Sequence, residues 1–423
     1  MSAERREPPP ILPLASSQPA GPFEPAKARL AAAVEANRAE IIGLSRRIHA
    51  TPELAFAEVQ ASTWIADALR AHGFAVEHPA GSLATAVRGR LRGGRARDSG
   101  RDSGSEPGGD GPRIGILAEY DALPGLGHGC GHNTMAASGV GAAIALAAIA
   151  PELAGEIVFL GTPAEERGSG KQFMIEDGLF DGLDAALLFH PSDMTHVTCG
   201  LLASEDVEVT FHGLQAHAAS DPWLGRNALD AMILLFSSVG LWRQQLRPDA
   251  RVHGVITDGG TAANIIPERS AAWFMIRSED EAEYARMRTR FGELCQAAAL
   301  AAECTVDVVF SGRATTMRNN MTLANRFGAN LSAYGVVPGP EPNNLGSSDM
   351  GNVSQVVPTI HPCVAICAAG VAGHSIEFRD AAATDYADEV TLLVASVIAQ
   401  TAYELFADPA LVKAAWDEFR AAG

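Results

Sequence analysis

The string Gly127-His-Gly-Cys130-Gly-His132 sets a thiol and an imidazole two residues apart, and Thr162-Pro-Ala-Glu165-Glu166 adds two adjacent carboxylates further along. Thiolate, imidazole and carboxylate are the donors that borderline divalent cations take, and a bound cation lowers a thiol's pKa enough to supply the thiolate. Glycines at 125, 127, 129 and 131 let the backbone turn tightly around such a centre. Neighbouring residues of an extended segment point opposite ways, so one glutamate can bind metal while the other handles protons. Taken alone, the first string also fits a glycine turn before a buried helix, with a core cysteine and a capping histidine. The glutamate pair also fits an ordinary acidic surface.

These side chains need elements that bring them together. Arg113–Ala118, Glu156–Leu160 and Asp184–Phe189 read as buried strands, and Met135–Ala150 as a buried helix between the first two. Strands separated by helices predict an α/β fold with a mostly parallel central sheet and helices on both faces. Helical periodicity runs over 27–50, and a second helix is expected at about 58–72. The Cys130/His132 loop, Glu165/Glu166 and His190 each follow a predicted strand, which would gather them at the carboxyl edge of the sheet, where such folds bind ligands. His374 also follows a strand-like run, although a lone histidine there is more often a turn residue.

From residue 203 the pattern changes to strand (206–211), helix (226–246), two strands (252–256 and 271–276), helix (280–302) and strand (305–310). That is the order of a ferredoxin-like βαββαβ unit. The expected domains are a Pro-rich disordered tail at 1–25, a metal-binding domain formed by 26–202 and 315–423, and an insert at 203–314. Within the returning segment, helices are expected near 321–333 and 384–407 and a strand near 363–368. The low-complexity run 93–112 reads as a flexible loop between strands.

Composition narrows the function. The net charge of -18 argues against a nucleic-acid partner, which needs a basic stripe, and suits cations. Six scattered cysteines read as reduced thiols in a cytoplasmic protein. The start of the chain carries no signal-peptide pattern, and the apolar stretch 135–150 is shorter than the roughly 20 residues a bilayer requires. No membrane partner is therefore expected. The dinucleotide and P-loop fingerprints both fail: Cys130 and His132 occupy third-glycine positions, and Gln172 follows Gly168-Ser-Gly-Lys171.

The strings Glu119-Tyr-Asp-Ala-Leu-Pro-Gly-Leu-Gly-His-Gly-Cys-Gly-His-Asn133, Thr162-Pro-Ala-Glu-Glu166, His190, Gly213-Leu-Gln-Ala-His217 and His374 together resemble the peptidase M20 family. This family holds two-metal aminoacylases, dipeptidases and glutamate carboxypeptidases. The resemblance covers about residues 30–405 and is strongest to the amidohydrolase branch, in its aminobenzoyl-glutamate hydrolase-like and dipeptidase-like group. It implies a two-metal exopeptidase-like catalytic domain with an inserted lid and dimerisation domain. Cys130 resembles the bridging metal ligand, and His132, Glu166, His190 and His374 the other ligands, for two divalent ions, Zn²⁺ or Mn²⁺. Glu165 resembles the general base, and Asp121 the carboxylate that orients a ligand histidine. His217 resembles the histidine that completes the active site, often across a dimer interface, and Asn264 a substrate contact. Without the resemblance, His217 fits a surface loop and Asn264 a turn before Pro267. Arg226 is a candidate for a substrate carboxylate, or simply a surface arginine at a helix start. Many relatives of the branch read His-x-Asp-x-Asp-Ala-Leu-Pro, whereas this chain reads Leu117-Ala-Glu119-Tyr-Asp-Ala-Leu-Pro124, which leaves Glu119 without an assigned role.

The expected activity is a metal-dependent amidohydrolase that cleaves the amide of an N-acyl amino acid or small dipeptide, in a homodimeric state set by the exposed sheet edge of the insert. Two alternatives remain open at this point. One is a hydrolase of non-peptide amides such as aminobenzoyl-glutamate conjugates, and the other a non-catalytic, metal-dependent ligand-binding subunit.

Overall fold

The computed structural model describes residues 23–95, 111–341 and 345–422. The expected tail and most of the low-complexity run lie outside the described residues. The chain divides into two compact units: the described residues of Met1–Gly200, Met317–Leu345 and Asn352–Gly423 form one, and Leu201–Thr316 with Gly346–Gly351 the other.

The first unit opens on three helices, α1 (Glu24–Ala36), α2 (Arg38–Ala50) and α3 (Val59–Ala71). The periodic run 27–50 is therefore two helices rather than one. The break falls at Asn37, whose side-chain amide donates to the Ala33 carbonyl at 2.8 Å, a local bond that competes with the helical ladder. Strands β1 (Ala75–Glu77), β2 (Val87–Arg92) and β3 (Arg113–Glu119) lead to helix α4 (His132–Ile149). Then come β4 (Glu156–Thr162), α5 (Gly170–Glu176), β5 (Ala185–Leu187) and β6 (His190–Ser192).

The second unit holds β7 (Ala203–His212), β8 (Ala216–His217), α6 (Ala228–Trp242), β9 (Arg251–Asp258), β10 (Ile265–Ile266), β11 (Arg269–Ser278), α7 (Glu281–Ala301) and β12 (Thr305–Ala314). Its antiparallel sheet runs β12-β7-β11-β9, which leaves β9 as an edge strand. A separate core beneath the two helices is built on Phe211, Phe274 and Phe291, with the rings of Phe274 and Phe291 5.0 Å apart. The chain continues through α8 (Met321–Ser332), α9 (Met350–Val353), β13 (Thr359–Ile360), β14 (Cys363–Ala365), α10 (Ile376–Ala381), α11 (Asp385–Ala407) and α12 (Pro409–Ala421).

The main sheet of the first unit runs β1-β2-β4-β3-β5-β13. Its inner pairs β4–β3, β3–β5 and β5–β13 are parallel, and only β2 runs against them, since the edge strand β1 is antiparallel to β2 in turn. The mixed α/β class with a mostly parallel centre is thus as the strand spacing predicts. The predicted strand 184–189 is cut short at Leu187, because the chain leaves that sheet and pairs again at His190–Ser192 with β14. Two helical stretches, His132–Glu152 and Asp385–Ala407, are long and apolar enough to cross a bilayer, but 83% and 89% of their apolar windows are buried inside the protein. They are core helices, and α4 extends beyond the apolar stretch read from sequence.

Candidate metal centre

Three parallel strands deliver the chemistry. β3 ends at Glu119 and is followed by Asp121, β4 ends at Thr162 just before Glu165 and Glu166, and β5 ends just before His190. Parallel neighbours share a carboxyl edge, so these side chains meet although they lie far apart in the chain. Local backbone chemistry then aims them. Gly131 adopts φ 75° as the residue that caps α4, and a side chain there would meet Pro191 at 2.8 Å, beside His190. Ala164 holds φ 60°, a left-handed conformation that costs a non-glycine residue roughly 1–3 kcal/mol. The buried Glu58 carboxylate holds it there by accepting the Ala164 N–H at 2.8 Å, and this turn presents Glu165 and Glu166. His374 is also left-handed at φ 60°, with its N–H on the Gly129 carbonyl at 2.9 Å, which ties it to the glycine loop.

Cys130, His132 and His190 form one triad whose donor atoms lie within 4.8 Å of one another, and Cys130, Glu166 and His374 form a second. Cys130 belongs to both. Its sulfur is 3.4 Å from His190 Nε2, and His374 Nε2 is 3.5 Å from a Glu166 oxygen. His190 Nδ1 faces the Pro191 carbonyl at 2.7 Å, so that nitrogen carries the ring proton and Nε2 is left to face the sulfur. His132 is held in the same way: its Nδ1 lies 2.9 Å from the Asp121 carboxylate and 3.0 Å from the Asp121 carbonyl, both acceptors. The other Asp121 oxygen accepts the Glu166 N–H at 2.8 Å, so one carboxylate orients two candidate ligands.

Glu119, Lys171 and His361 also reach the centre, and sequence reasoning gave none of them a place there. Glu119 and Lys171 have no exposed surface, and Lys171 Nζ donates to Glu119 Oε1 at 2.6 Å. Burial opposes ionisation of Glu119, but Lys171 and His132 hold its pKa down at about 2. His361 is buried with its ring centroid 5.5 Å from that of His190. The lysine after Gly168-Ser-Gly belongs to a string that matches only a failed phosphate loop, and His361 belongs to none of the strings that carry the resemblance, so neither position signalled the site.

The donor set fits a divalent pair. Glu119 Oε2, His132 Nε2 and Glu166 Oε1 are buried without a hydrogen-bond partner among the described residues. They converge: His132 Nε2 is 3.3 Å from Glu119, 4.0 Å from Glu166 and 4.0 Å from Glu165. Buried lone pairs facing one another are costly unless a proton or a cation lies among them. The electrostatics agree. Burial and then Glu166 push the Cys130 thiol up, so the thiolate needs a nearby cation. Burial opposes protonation of His132, but the Cys130 sulfur and Asp121 outweigh it and hold its pKa well above the usual value. Burial also raises Glu166 and lowers His190 to about 4.

The other candidate residues lie in the second unit. His217 is exposed on β8, paired with β10, and its Nδ1 accepts from the Ala219 and Ser220 N–H groups at 3.2 and 3.1 Å. Asn264 is exposed beside it, and its carbonyl accepts the Ala218 N–H at 3.0 Å. Arg226 is exposed and bridged to Leu214, with Nε 4.0 Å from Glu303.

A model of the peptidase family M20/M25/M40 matches residues 115–398. The Xaa-Arg dipeptidase of Mus musculus is 37% identical over 95% of this chain and 94% of its own length. One of the subunits of the p-aminobenzoyl-glutamate hydrolase of Escherichia coli (strain K12) is 31% identical over 78% of this chain and 68% of its own length. Among solved structures, a putative aminohydrolase from methicillin-resistant Staphylococcus aureus superposes with a TM-score of 0.71 at 20% identity, covering 90% of this chain and all 100% of that one. The Bacillus subtilis YXEP protein, a dinuclear metal-binding peptidase of the M20 family, gives 0.64 at 21% identity over 88% of this chain and 99% of its own. These last two likenesses concern the fold.

Proposed function

The chain belongs to peptidase family M20/M25/M40 and is a metal-dependent amidohydrolase of the dipeptidase kind, and we propose that its substrates are dipeptides with a basic C-terminal residue, of the Xaa-Arg type. The relative that shares the greater identity over the greater length carries that name, which ranks this substrate ahead of N-acyl amino acids and aminobenzoyl conjugates. The observation that carries the catalytic reading is the convergence of buried, unpartnered donor atoms around His132 Nε2, with Cys130 shared by both triads.

Cys130, His132, Glu166, His190 and His374 are the residues that would hold two divalent ions, with Cys130 between them. When bound, such a pair supplies Lewis acidity toward the scissile carbonyl and acidifies water. The sulfur donor favours zinc over manganese. Glu165 has the role of taking the proton from the attacking water and passing it to the departing amine. Asp121 keeps the proton of His132 on Nδ1. His217 and Asn264 are assigned to donate to the tetrahedral oxyanion, and Arg226 to the substrate carboxylate.

We further propose a homodimer formed through the edge strand β9 and helix α6. Ile256 on β9 and Ile233, Leu234 and Leu241 on α6 are exposed on the helix side, and Val255 is exposed on the opposite side of the same edge strand, which places apolar surface next to unpaired strand backbone. Six free thiols suit a reducing, cytoplasmic location.

The test is elemental analysis of purified protein beside a panel of Xaa-Arg dipeptides, other dipeptides, N-acyl amino acids and aminobenzoyl-glutamate. Fastest turnover on peptides ending in arginine is expected. Metal-replete protein that binds these compounds and hydrolyses none would overturn the catalytic reading in favour of a non-catalytic binding role.

A further inference from the structure

The five residues that resemble the family's ligands do not include the most deeply buried carboxylate at the centre. Glu119, at the end of β3, is fully buried, and so is its partner Lys171 on α5. Stability alone gives little reason for such a pair, since a buried ion pair is often no better than apolar side chains of similar volume. The pair also leaves half of the carboxylate unused. Lys171 Nζ lies on Oε1 at 2.6 Å, whereas Oε2 has no hydrogen-bond partner among the described residues and points at His132 Nε2, 3.3 Å away.

The proton of His132 is on the opposite nitrogen, because Nδ1 sits between two Asp121 acceptors. Nε2 is therefore the nitrogen with a lone pair to offer a bound cation, and it faces a carboxylate oxygen, both side chains having no exposed surface. Two such atoms repel at that separation unless a proton or a bound cation lies between them. Nitrogen and oxygen donors about 2.0–2.2 Å from one zinc ion lie about 3–3.5 Å from each other, the spacing seen here. Glu165 competes for the same position, but its nearest oxygen is 4.0 Å from Nε2 and its side chain keeps some exposure. The shorter distance and the anchored carboxylate favour Glu119.

We propose that Glu119 is a further metal ligand, binding through Oε2 the cation that His132 holds, with Lys171 fixing the carboxylate through Oε1. The inference rests on the metal-centre reading above. Lys171 limits Glu119 to one donor oxygen and offsets part of its charge. With that position filled by Glu119, Glu165 keeps the role of base.

The test uses the full chain loaded with cobalt(II), whose visible absorption reports ligand number and geometry, together with chelator competition for affinity and circular dichroism for folding. Two variants separate ligation from structure: Glu119→Gln, and the apolar pair Glu119→Leu with Lys171→Met. Wild type is expected to hold two cobalt ions. Both variants are expected to change the visible d–d bands and to bind one cobalt at least about 10-fold more weakly, the least expected from effects seen on removing even indirect metal contacts. If Glu119 were only structural, the apolar pair would restore wild-type binding. Either folded variant that keeps two cobalt ions, wild-type affinity and an unchanged spectrum overturns the proposal while leaving the metal centre intact. Wild type that binds no cobalt overturns both.

Discussion

Replacing Asp121 with asparagine tests how the centre is oriented. The carboxylate serves two donors at once, His132 Nδ1–H at 2.9 Å and the Glu166 N–H at 2.8 Å, and it is almost wholly buried. The amide of Asp121→Asn has the same shape but only one acceptor atom. If its oxygen stays with Glu166, its NH₂ faces His132 Nδ1 and favours moving the ring proton to Nε2, the nitrogen aimed at the cation. If it turns over, two N–H groups face each other at Glu166. The Asp121 carbonyl, 3.0 Å from Nδ1, still supports the correct tautomer and limits the damage. What is lost is one hydrogen bond to a charged group, about 1.5–3 kcal/mol. At about 1.4 kcal/mol per tenfold, that is roughly 10- to 150-fold in metal affinity, in line with the ~10–100-fold typical of residues that orient ligands. Chelator competition on dialysed protein measures it, with circular dichroism to verify the fold. A folded Asp121→Asn protein that takes up two metals with wild-type affinity would refute the tautomer argument.

Glu165→Ala is expected to abolish hydrolysis while elemental analysis still finds two metals, and loss of metal would mean that the roles of Glu165 and Glu166 are exchanged. The metal-free protein is expected to be acid-labile. Burial, reinforced by neighbouring histidines, lowers His128 and His361 to about 3, so from about pH 6.5 downward the unfolded chain gains protons that the folded chain refuses. Each such histidine then removes about 1.4 kcal/mol of stability per pH unit until the folded value is reached. His361→Phe should flatten the fall in melting temperature between pH 6.5 and 4, and an unchanged slope would remove His361 from the explanation. Val255→Lys places a charge on the exposed apolar edge of β9 and is expected to convert a dimer to a monomer by light scattering. A monomeric wild type at micromolar concentration would end the dimer proposal.

The ligand-type residues were legible because their types are rare and their places regular: Cys130 and His132 in a glycine loop, Glu165 and Glu166 just past one strand, and His190 just past another. Hydrophobic runs gave the parallel order, and parallel strands share an edge, so the meeting of these side chains followed from spacing alone. The tertiary structure decided what depends on burial and on partners distant in sequence. No local pattern says that Lys171 lies on Glu119, 52 positions away, or that His361 meets His190 edge to face. Nor could periodicity detect that Asn37 interrupts a helix through its own side chain, or that the chain changes sheets at His190. The physical reason is the same in each case. Periodicity records which face of an element is apolar, whereas a buried charge, a tautomer or a strand exchange is set by the atoms that the fold brings within about 3 Å.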